Sequence, residues 1–340
     1  MGRSVIEKIT ARAIRASKRI ILPESNDSRV LKAAQEITRL GYARVILLGS
    51  RQRIEADAVR LGLCLAGVEI ISPDDDPARE TYVERLYQLR KAKGMTREQS
   101  AKLLEVPVYY GGQVVAAGLA DGMVAGSMCP TADTIRGSLW SVGTAPGCRT
   151  VSSCSILQTI IPEVGVDGAV IFADTGVIPE PTVEQLADIA IHAGDCCRNL
   201  LGVEPRVAML SFSTKGSAHG PAVQAVIDAT RLAQAKRPDM KIDGELQADA
   251  AIIPAIAKAK DGASEVAGRA NVLVFPNLSA GNIAYKLVER LGRAIALGPL
   301  LLGLAKPIND LSRGCSVEDI VLVTAVTAVQ SLSNARDRTH

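Results

Sequence analysis

The feature that most constrains this fold is the alternation of short apolar segments with longer amphipathic ones. Residues 19–23 (RIILP) have the pattern of a buried strand, Ser28–Leu40 that of a helix, and residues 43–48 (ARVILL) that of a second strand. A strand, a helix and a strand at this spacing predict a parallel βαβ unit. The alternation continues to the last helical segment, residues 317–332, so we predict an α/β fold with an open parallel sheet in each domain.

The chain is long enough for two domains of this kind. It has 340 residues, of which 47% are hydrophobic, and two ordinary α/β domains suit that length better than one large domain. The segment GTAPG at residues 143–147 is a natural junction between them. The final segment is rich in β-branched residues, but its length predicts a buried helix.

Composition argues against several classes of function. The net charge is +3 and no polybasic tail is present, and three Phe and one Trp make a base-stacking surface for nucleic acid improbable. We see neither a signal peptide nor a membrane span. The seven Cys are scattered without a CxxC pair, which favours reduced thiols in a cytoplasmic protein over zinc ligands or disulfides.

Polar loops follow three of the predicted strands, where open α/β sheets bind ligands. Ser127, Thr131 and Thr134 follow the strand that ends at Gly126, and their hydroxyls at a helix N-terminus suit an anion, although an ordinary helix cap explains them equally well. Residues 213–217 (STKGS) resemble a phosphate cradle without P-loop spacing, and residues 277–282 (NLSAGN) are also typical of a turn and cap. No standard nucleotide motif is present.

The three His residues are weak candidates for chemistry. His192 lies opposite the apolar stripe of its predicted helix and should face solvent. His219 lies in a Gly-rich loop and stays a candidate, whereas His340 ends the sequence. Without a credible His, a Ser-His or Cys-His nucleophile is improbable, so a general base is better sought among carboxylates.

One carboxylate has two possible roles. Ser316-Val317-Glu318-Asp319 has the spacing of a capping box, in which Asp319 closes the start of the last helix. The local pattern does not decide whether Asp319 is only a cap or also a base.

Several motifs together resemble the phosphate acetyltransferases, within the phosphate acetyl/butyryltransferase family. They are PESNDSRVLKAA, TADTIR, GTAPGCRTVSSC, SFSTKGSA, FPNLSAGNIAYK and KPINDLSRGCSVEDI, which occur in this order over residues 20–330. The resemblance implies two three-layer α/β domains with mainly parallel sheets and an interdomain cleft. It places a discontinuous domain I at residues 1–147 and 302–340 and domain II at residues 148–301.

The resemblance also implies an activity and its components. The family transfers an acyl group reversibly between coenzyme A and phosphate, by direct thiolate attack, with no metal and no bound cofactor; coenzyme A, acetyl phosphate and phosphate are small-molecule substrates. It implies a homodimer that binds neither nucleic acid nor membrane.

Residue roles carry over by motif. Asp319 matches the base that removes the thiol proton, and Ser312 and Arg313 match the pair that stabilises the transition state. Two arginines, Arg136 and Arg90, match those that bind phosphate-bearing substrate. The remaining substrate-binding candidates are Ser127, Thr131, Ser213, Thr214, Lys215, Gly216, Asn282 and Lys286.

The chain departs from the usual family pattern near the expected site, at Ile178, Asn277, Ser279 and Cys129-Pro130. None of these departures removes a named catalytic residue, but they leave the acyl chain open between acetyl, propionyl and butyryl. Two other classes stay as alternatives: a non-catalytic sensor of coenzyme A or acyl phosphate, and a decarboxylating dehydrogenase of related two-domain layout.

Overall fold

A computed structural model describes residues 4–260 and 264–332 of the chain. These residues fold into two compact units. We call the unit built from residues 9–147 and from the chain after Gly303 the terminal unit. The middle unit comprises Cys148–Gly303 together with the start of the chain through Lys8.

The first part of the chain alternates helices and strands as its sequence predicts. Its elements are α1 (Val5–Ala16), β1 (Arg19–Leu22), α2 (Ser28–Leu40), β2 (Arg44–Leu48), α3 (Arg51–Arg60), β3 (Glu69–Ile71), α4 (Arg79–Arg90) with a 3-10 turn (Lys91–Lys93), α5 (Arg97–Leu103), α6 (Pro107–Ala116), β4 (Gly122–Ala125) and α7 (Thr131–Leu139).

The middle unit continues the alternation. Its elements are β5 (Ser152–Gln158), β6 (Ala169–Ala173), α8 (Val183–Cys196) with a π-helical turn (Cys197–Leu201), β7 (Arg206–Leu210), α9 (Pro221–Lys236), β8 (Lys241–Leu246), α10 (Ala248–Ile252), α11 (Pro254–Lys260), β9 (Val272–Val274), α12 (Leu278–Leu291) and β10 (Ile295–Leu302).

The last part of the chain completes the terminal unit with β11 (Ile308–Asp310) and α13 (Val317–Gln330). Strand β11 pairs in parallel with β4, and the sheet of the described residues has the order β11-β4-β1-β2-β3. Every pairing in this sheet is parallel. The carboxyl ends of β1, β4 and β11 are therefore neighbours at one edge, where ligands bind in open α/β sheets.

Helix α13 forms as predicted in spite of its β-branched residues. Its residues from Ile320 to Val329 are buried, except for the half-buried Leu322. A helix that is apolar on nearly all sides gains its stability from burial, which overrides the weak strand preference of Val, Ile and Thr. Its Thr324 and Thr327 hydroxyls donate to carbonyls one turn back, so burial leaves these two hydroxyls bonded.

The middle sheet is not parallel throughout, whereas the alternation of elements predicted an open parallel sheet in each domain. Its order is β10-β5-β6-β9-β7-β8, and both β10–β5 and β5–β6 are antiparallel. A short connection joins β5 to β6, and consecutive strands without a crossover helix pair antiparallel. The other pairings are parallel, which confirms mainly parallel sheets.

Candidate active site

The catalytic candidates lie where β11 runs into α13. Ser312 and Arg313 are exposed in the loop between the two elements, and Asp319 is half-buried in the first turn of α13. The capping box is present: the Ser316 amide donates to Asp319 Oδ2 at 2.8 Å, and the Asp319 amide donates to Ser316 Oγ at 3.1 Å. The cap fixes the Asp319 carboxylate at the helix start, six and seven residues after Arg313 and Ser312.

The loop after β4 lies beside this segment because β4 and β11 are paired. Ser127 is buried, and its hydroxyl donates to Glu24 Oε2 at 2.9 Å. The amides of Ser127, Met128 and Cys129 also donate to the Glu24 carboxylate, at 2.7–2.8 Å. The donors that the sequence suggested for an external anion thus bind an internal carboxylate, which follows the neighbouring strand β1.

Thr131, the second hydroxyl of this loop, donates to Asp310 Oδ2 at 2.6 Å. Asp310 ends β11 and is 1% exposed, and burial raises its carboxyl pKa to about 6. A Cβ on Gly126 would lie 2.3 Å from Asp310 Oδ1, and Gly126 has φ of +100°, so only glycine suits the end of β4. Oδ1 itself is buried without a hydrogen-bond partner.

The structure brings the two predicted phosphate-binding arginines together at one aromatic ring. Arg90 ends α4 and Arg136 lies on α7, and their guanidinium carbons are 4.3 Å and 5.9 Å from the centroid of the Trp140 ring. Arg136 also forms an ion pair with Asp133 at 2.9 Å. The stacking orients two cations on one side of the terminal unit, a suitable arrangement for a ligand with more than one phosphate.

In the middle unit, the STKG loop after β7 surrounds another carboxylate. Ser213 Oγ donates to Glu245 Oε1 at 3.0 Å and the Gly216 amide donates to the same oxygen at 2.8 Å. Thr214 Oγ1 bonds the side chain of Gln247, and Lys215 forms an ion pair with Asp243. The four candidates are close in space, but these contacts are with protein groups.

The remaining candidates lie on α12 of the middle unit. The side-chain amide of Asn282 donates through Nδ2 to the Thr175 carbonyl at 2.9 Å, in the loop that follows β6. Lys286, one turn further on, is exposed with its ammonium 5.8 Å from the Tyr285 ring centroid. Asn282 therefore has a structural contact, whereas Lys286 extends from the surface of its unit.

The prediction for His192 was wrong. Its Nε2 lies 3.3 Å from Cys148 Sγ, and its Nδ1 is buried without a hydrogen-bond partner. Burial lowers the pKa of the imidazole, and it raises the pKa of the Cys148 thiol. The apolar stripe describes only the helix itself. It does not show that the segment around Gly303, distant in sequence, packs against the imidazole ring. Both pKa shifts favour a neutral imidazole and a neutral thiol, so His192 does not activate Cys148 as a nucleophile.

Residues 4–260 and 264–332 contain no group of three or more His, Cys, Asp or Glu placed to hold a metal ion. None of their helices has the length and apolar character needed to cross a membrane. His340 lies outside the described residues.

Sequence reasoning missed four residues of the terminal unit that organise this region: Glu24, Arg29, Trp140 and Asp310. Glu24 and Arg29 stand in the PESNDSR segment directly after β1, which the sequence marked only as part of a resemblance. A signal was available, because a charged cluster at the carboxyl end of a central strand faces the ligand edge of the sheet.

Comparisons with known proteins agree on one family. Residues 4–328 match the family described as phosphate acetyl/butaryl transferase. The chain is 49% identical to a phosphate acetyltransferase of Acetivibrio thermocellus and 48% identical to one of Clostridium acetobutylicum, in each case over 96% of this chain and 98% of the relative. A solved phosphotransacetylase from Streptococcus pyogenes superposes with a TM-score of 0.90 at 38% identity, covering 97% of this chain and 98% of that one.

Proposed function

The chain belongs to the phosphate acetyl/butaryl transferase family, and from that premise we propose that it transfers an acetyl group reversibly between coenzyme A and inorganic phosphate. The observation that carries the proposal is the match at 49% identity, over nearly the full length of both chains, to a phosphate acetyltransferase. The chain also has Asp319, Ser312, Arg313, Arg136 and Arg90, to which the motif resemblance gives functional roles. On the same ground, it is an acyltransferase.

In the thioester-forming direction, the sulfur of coenzyme A attacks the carbonyl carbon of acetyl phosphate. A thiol of pKa roughly 8.5 is mostly protonated near pH 7, so its proton has to leave as the C–S bond forms. We assign its removal to Asp319. Because the Ser316 amide binds Oδ2, the other oxygen is the natural acceptor.

Attack places negative charge on the carbonyl oxygen, which Ser312 and Arg313 offset as hydrogen-bond donors. Removal of one such donor typically costs about 100- to 1000-fold in rate. The C–O bond to phosphate then breaks, phosphate leaves with the bonding electrons, and the proton held by Asp319 passes on to it. Atoms and charge balance without any redox partner.

We assign the binding of substrate phosphates to the arginine pair. Arg136 suits the phosphoryl group because a guanidinium binds two oxygens at once, and Arg90 suits a phosphate of coenzyme A. Ser127 and Thr131 are assigned to the same phosphoryl group. In the structure both donate to carboxylates, so each must share or exchange its partner when substrate binds.

In the middle unit, we assign Ser213, Thr214, Lys215, Gly216, Asn282 and Lys286 to substrate binding on the motif resemblance. Coenzyme A enters as a substrate, and the proposed chemistry needs no bound cofactor or metal. We further propose a homodimer in the cytoplasm. Sedimentation of the purified protein at twice the monomer mass supports the dimer, and sedimentation at the monomer mass contradicts it.

The activity is tested with purified protein, coenzyme A and acetyl phosphate, by following the thioester absorbance. We expect thioester formation, and its reversal when phosphate and acetyl-CoA are supplied. Binding of coenzyme A by calorimetry without turnover of acetyl, propionyl or butyryl phosphate would refute the enzyme and support a sensor. Unchanged turnover after dialysis against a chelator supports the metal-free route.

A further inference from the structure

The Arg29 side chain, on α2, joins two loops of the terminal unit through three backbone carbonyls. Its Nη1 donates to the carbonyl oxygens of Arg313 at 2.9 Å and Cys315 at 2.7 Å. Its Nη2 donates to the carbonyl of Ser127 at 2.9 Å. One guanidinium thus holds the loop that carries Ser312 and Arg313 against the loop that follows β4.

The orientation of this guanidinium is itself fixed. Asp27 accepts from Nε at 3.0–3.1 Å and from Nη2 at 2.7 Å, while it also caps α2 through the Arg29 amide at 2.8 Å. Arginine has five N–H donors, one on Nε and two on each Nη. Two on Nη1 and one on Nη2 bond carbonyls, and the other two bond Asp27, so all five have acceptors.

We propose that Arg29 is a positioning residue for the transfer reaction, which sets the Ser312–Arg313 loop without touching substrate. The inference rests on the proposed function. Its basis is geometric: three of the guanidinium N–H groups bond the carbonyls of Arg313, Cys315 and Ser127, so the loop of the transition-state pair is held at Arg313 itself and two residues further on. A displacement of about 1 Å in a catalytic group can cost on the order of 100-fold in rate, so a loop held at Arg313 and Cys315 depends on this anchor.

Arg29→Lys tests the role because lysine keeps the charge but has three donors on one atom and no planar fork. We expect kcat to fall at least about 10-fold, since only the transition state uses the position of Ser312 and Arg313. The KM for coenzyme A should change less than about twofold, because Arg90, the arginine assigned to a phosphate of coenzyme A, lies at Trp140 and not at this loop.

Arg19→Lys is the matched control. Arg19 lies in the same unit, its side chain is 31% exposed against 30% for Arg29, and its Nη2 binds both carboxylate oxygens of Glu69. Its loss of the same chemical group should leave kcat near the wild-type value. A kcat for Arg29→Lys equal to that of this control would overturn the proposal.

A double-mutant cycle separates positioning from general stability. If Arg29 acts through the Arg313 loop, Arg29→Lys should cost much less in an Arg313→Lys background than in the wild type, whereas independent effects multiply. Multiplying effects overturn the proposal. If Arg29→Lys does not fold, Asp27→Asn replaces it: asparagine still caps α2 but loosens the fork, and an unchanged kcat there also overturns the inference.

Wild-type protein without turnover would refute the proposed function and this role with it. Wild-type turnover with a silent Arg29→Lys would refute only the role of Arg29. The two failures are therefore told apart in the first assay.

Discussion

Asp319 has a structural task and a proposed chemical one, and single substitutions can separate them. The cap uses Oδ2 as an acceptor for the Ser316 amide, which an amide oxygen can replace. The proposed reaction uses a carboxylate that takes up a proton, which an amide cannot replace. A substitution at Asp319 can therefore remove proton uptake and still keep the cap.

Asp319→Asn should lower kcat by about 100- to 10,000-fold, the usual contribution of a positioned base. Its melting temperature should stay near the wild-type value, because Asn still accepts from the Ser316 amide. Thioester assays and thermal unfolding of the same preparation measure both quantities. A loss of stability that matches the loss of activity would mean that Asp319 serves only the helix.

Ser316→Ala is the complementary variant. It removes the hydroxyl that accepts from the Asp319 amide at 3.1 Å, and loss of such a cap costs about 1 kcal/mol. We expect lower stability with most of the activity retained. A fall in kcat as deep as that of Asp319→Asn would show that the cap itself sets the rate.

Asp310 makes the free energy of unfolding depend on pH, and the direction of that dependence follows from its raised pKa. Burial raises its pKa from 3.8 to about 6, so the folded state keeps a proton that the unfolded chain releases. The stabilisation is fully present below pH 3.8 and is lost as the pH rises through 6. Between pH 5 and 7.5 the loss amounts to about 1 to 1.5 kcal/mol.

Asp310→Asn should flatten this dependence, because Asn does not titrate and can still accept from Thr131. Denaturant unfolding of both proteins at pH 5 and pH 7.5 measures the difference. His192 acts in the opposite direction, since its lowered pKa removes stability as the pH falls, but it is common to both proteins. Equal pH profiles would show that Asp310 ionises as it does in water.

At the scale of elements, the end of α4 and the body of α7 are joined by Trp140. Trp140→Leu removes the aromatic face beneath Arg90 and Arg136. Each cation–π contact contributes about 0.5 to 1 kcal/mol at an exposed site. Because Arg90 alone is assigned to a phosphate of coenzyme A, the KM for coenzyme A should rise about 2- to 5-fold. The value of kcat should change much less.

Trp140→Phe is the control for this prediction, since it keeps an aromatic face of smaller area. Its KM should lie between those of the wild type and Trp140→Leu. Steady-state kinetics with coenzyme A varied at saturating acetyl phosphate gives both parameters. An unchanged KM in Trp140→Leu would show that the arginines hold their positions without the ring.

The elements that the sequence predicted well are those with local signals. Thr96 with Gln99, Thr182 with Gln185 and Ser316 with Asp319 all form capping boxes, because such a box depends on residues three apart. Strand β5 was missed, since its sequence SSCSILQ begins with small polar residues. Its pairing with β6 and β10 decides where it lies, and no local pattern in the sequence shows that pairing.

Carboxylates were missed in the site for a similar reason. A polar loop after a strand marks anion-binding geometry, but the sequence does not show which anion occupies it. Glu24 fills the loop at Ser127, and Glu245 fills the one at Ser213. Asp174 accepts from the amides of Gly176, Val177 and Ile178 in the same manner.

For the whole molecule, these internal carboxylates limit where the anionic groups of a substrate can bind. Where backbone amides and hydroxyls already bind a buried carboxylate, added negative charge is repelled unless cations outweigh it. In the proposed function, Arg136 and Arg90 supply this positive charge for the phosphates of the substrates.

The acyl chain is the property of the whole enzyme that the family leaves open, because its name covers acetyl and butyryl transfer. A closely fitted acyl pocket discriminates by about 10- to 200-fold for one methylene. With acetyl as the proposed substrate, kcat/KM should fall at least about 10-fold from acetyl to propionyl phosphate and again to butyryl phosphate. Competition between pairs of acyl phosphates for limiting coenzyme A, with both thioesters quantified, measures this ratio directly. A maximum at propionyl or butyryl would keep the mechanism at Asp319 but assign the chain to longer acyl groups, and Cys129, beside the expected acyl or phosphate site, would then be the first residue to exchange.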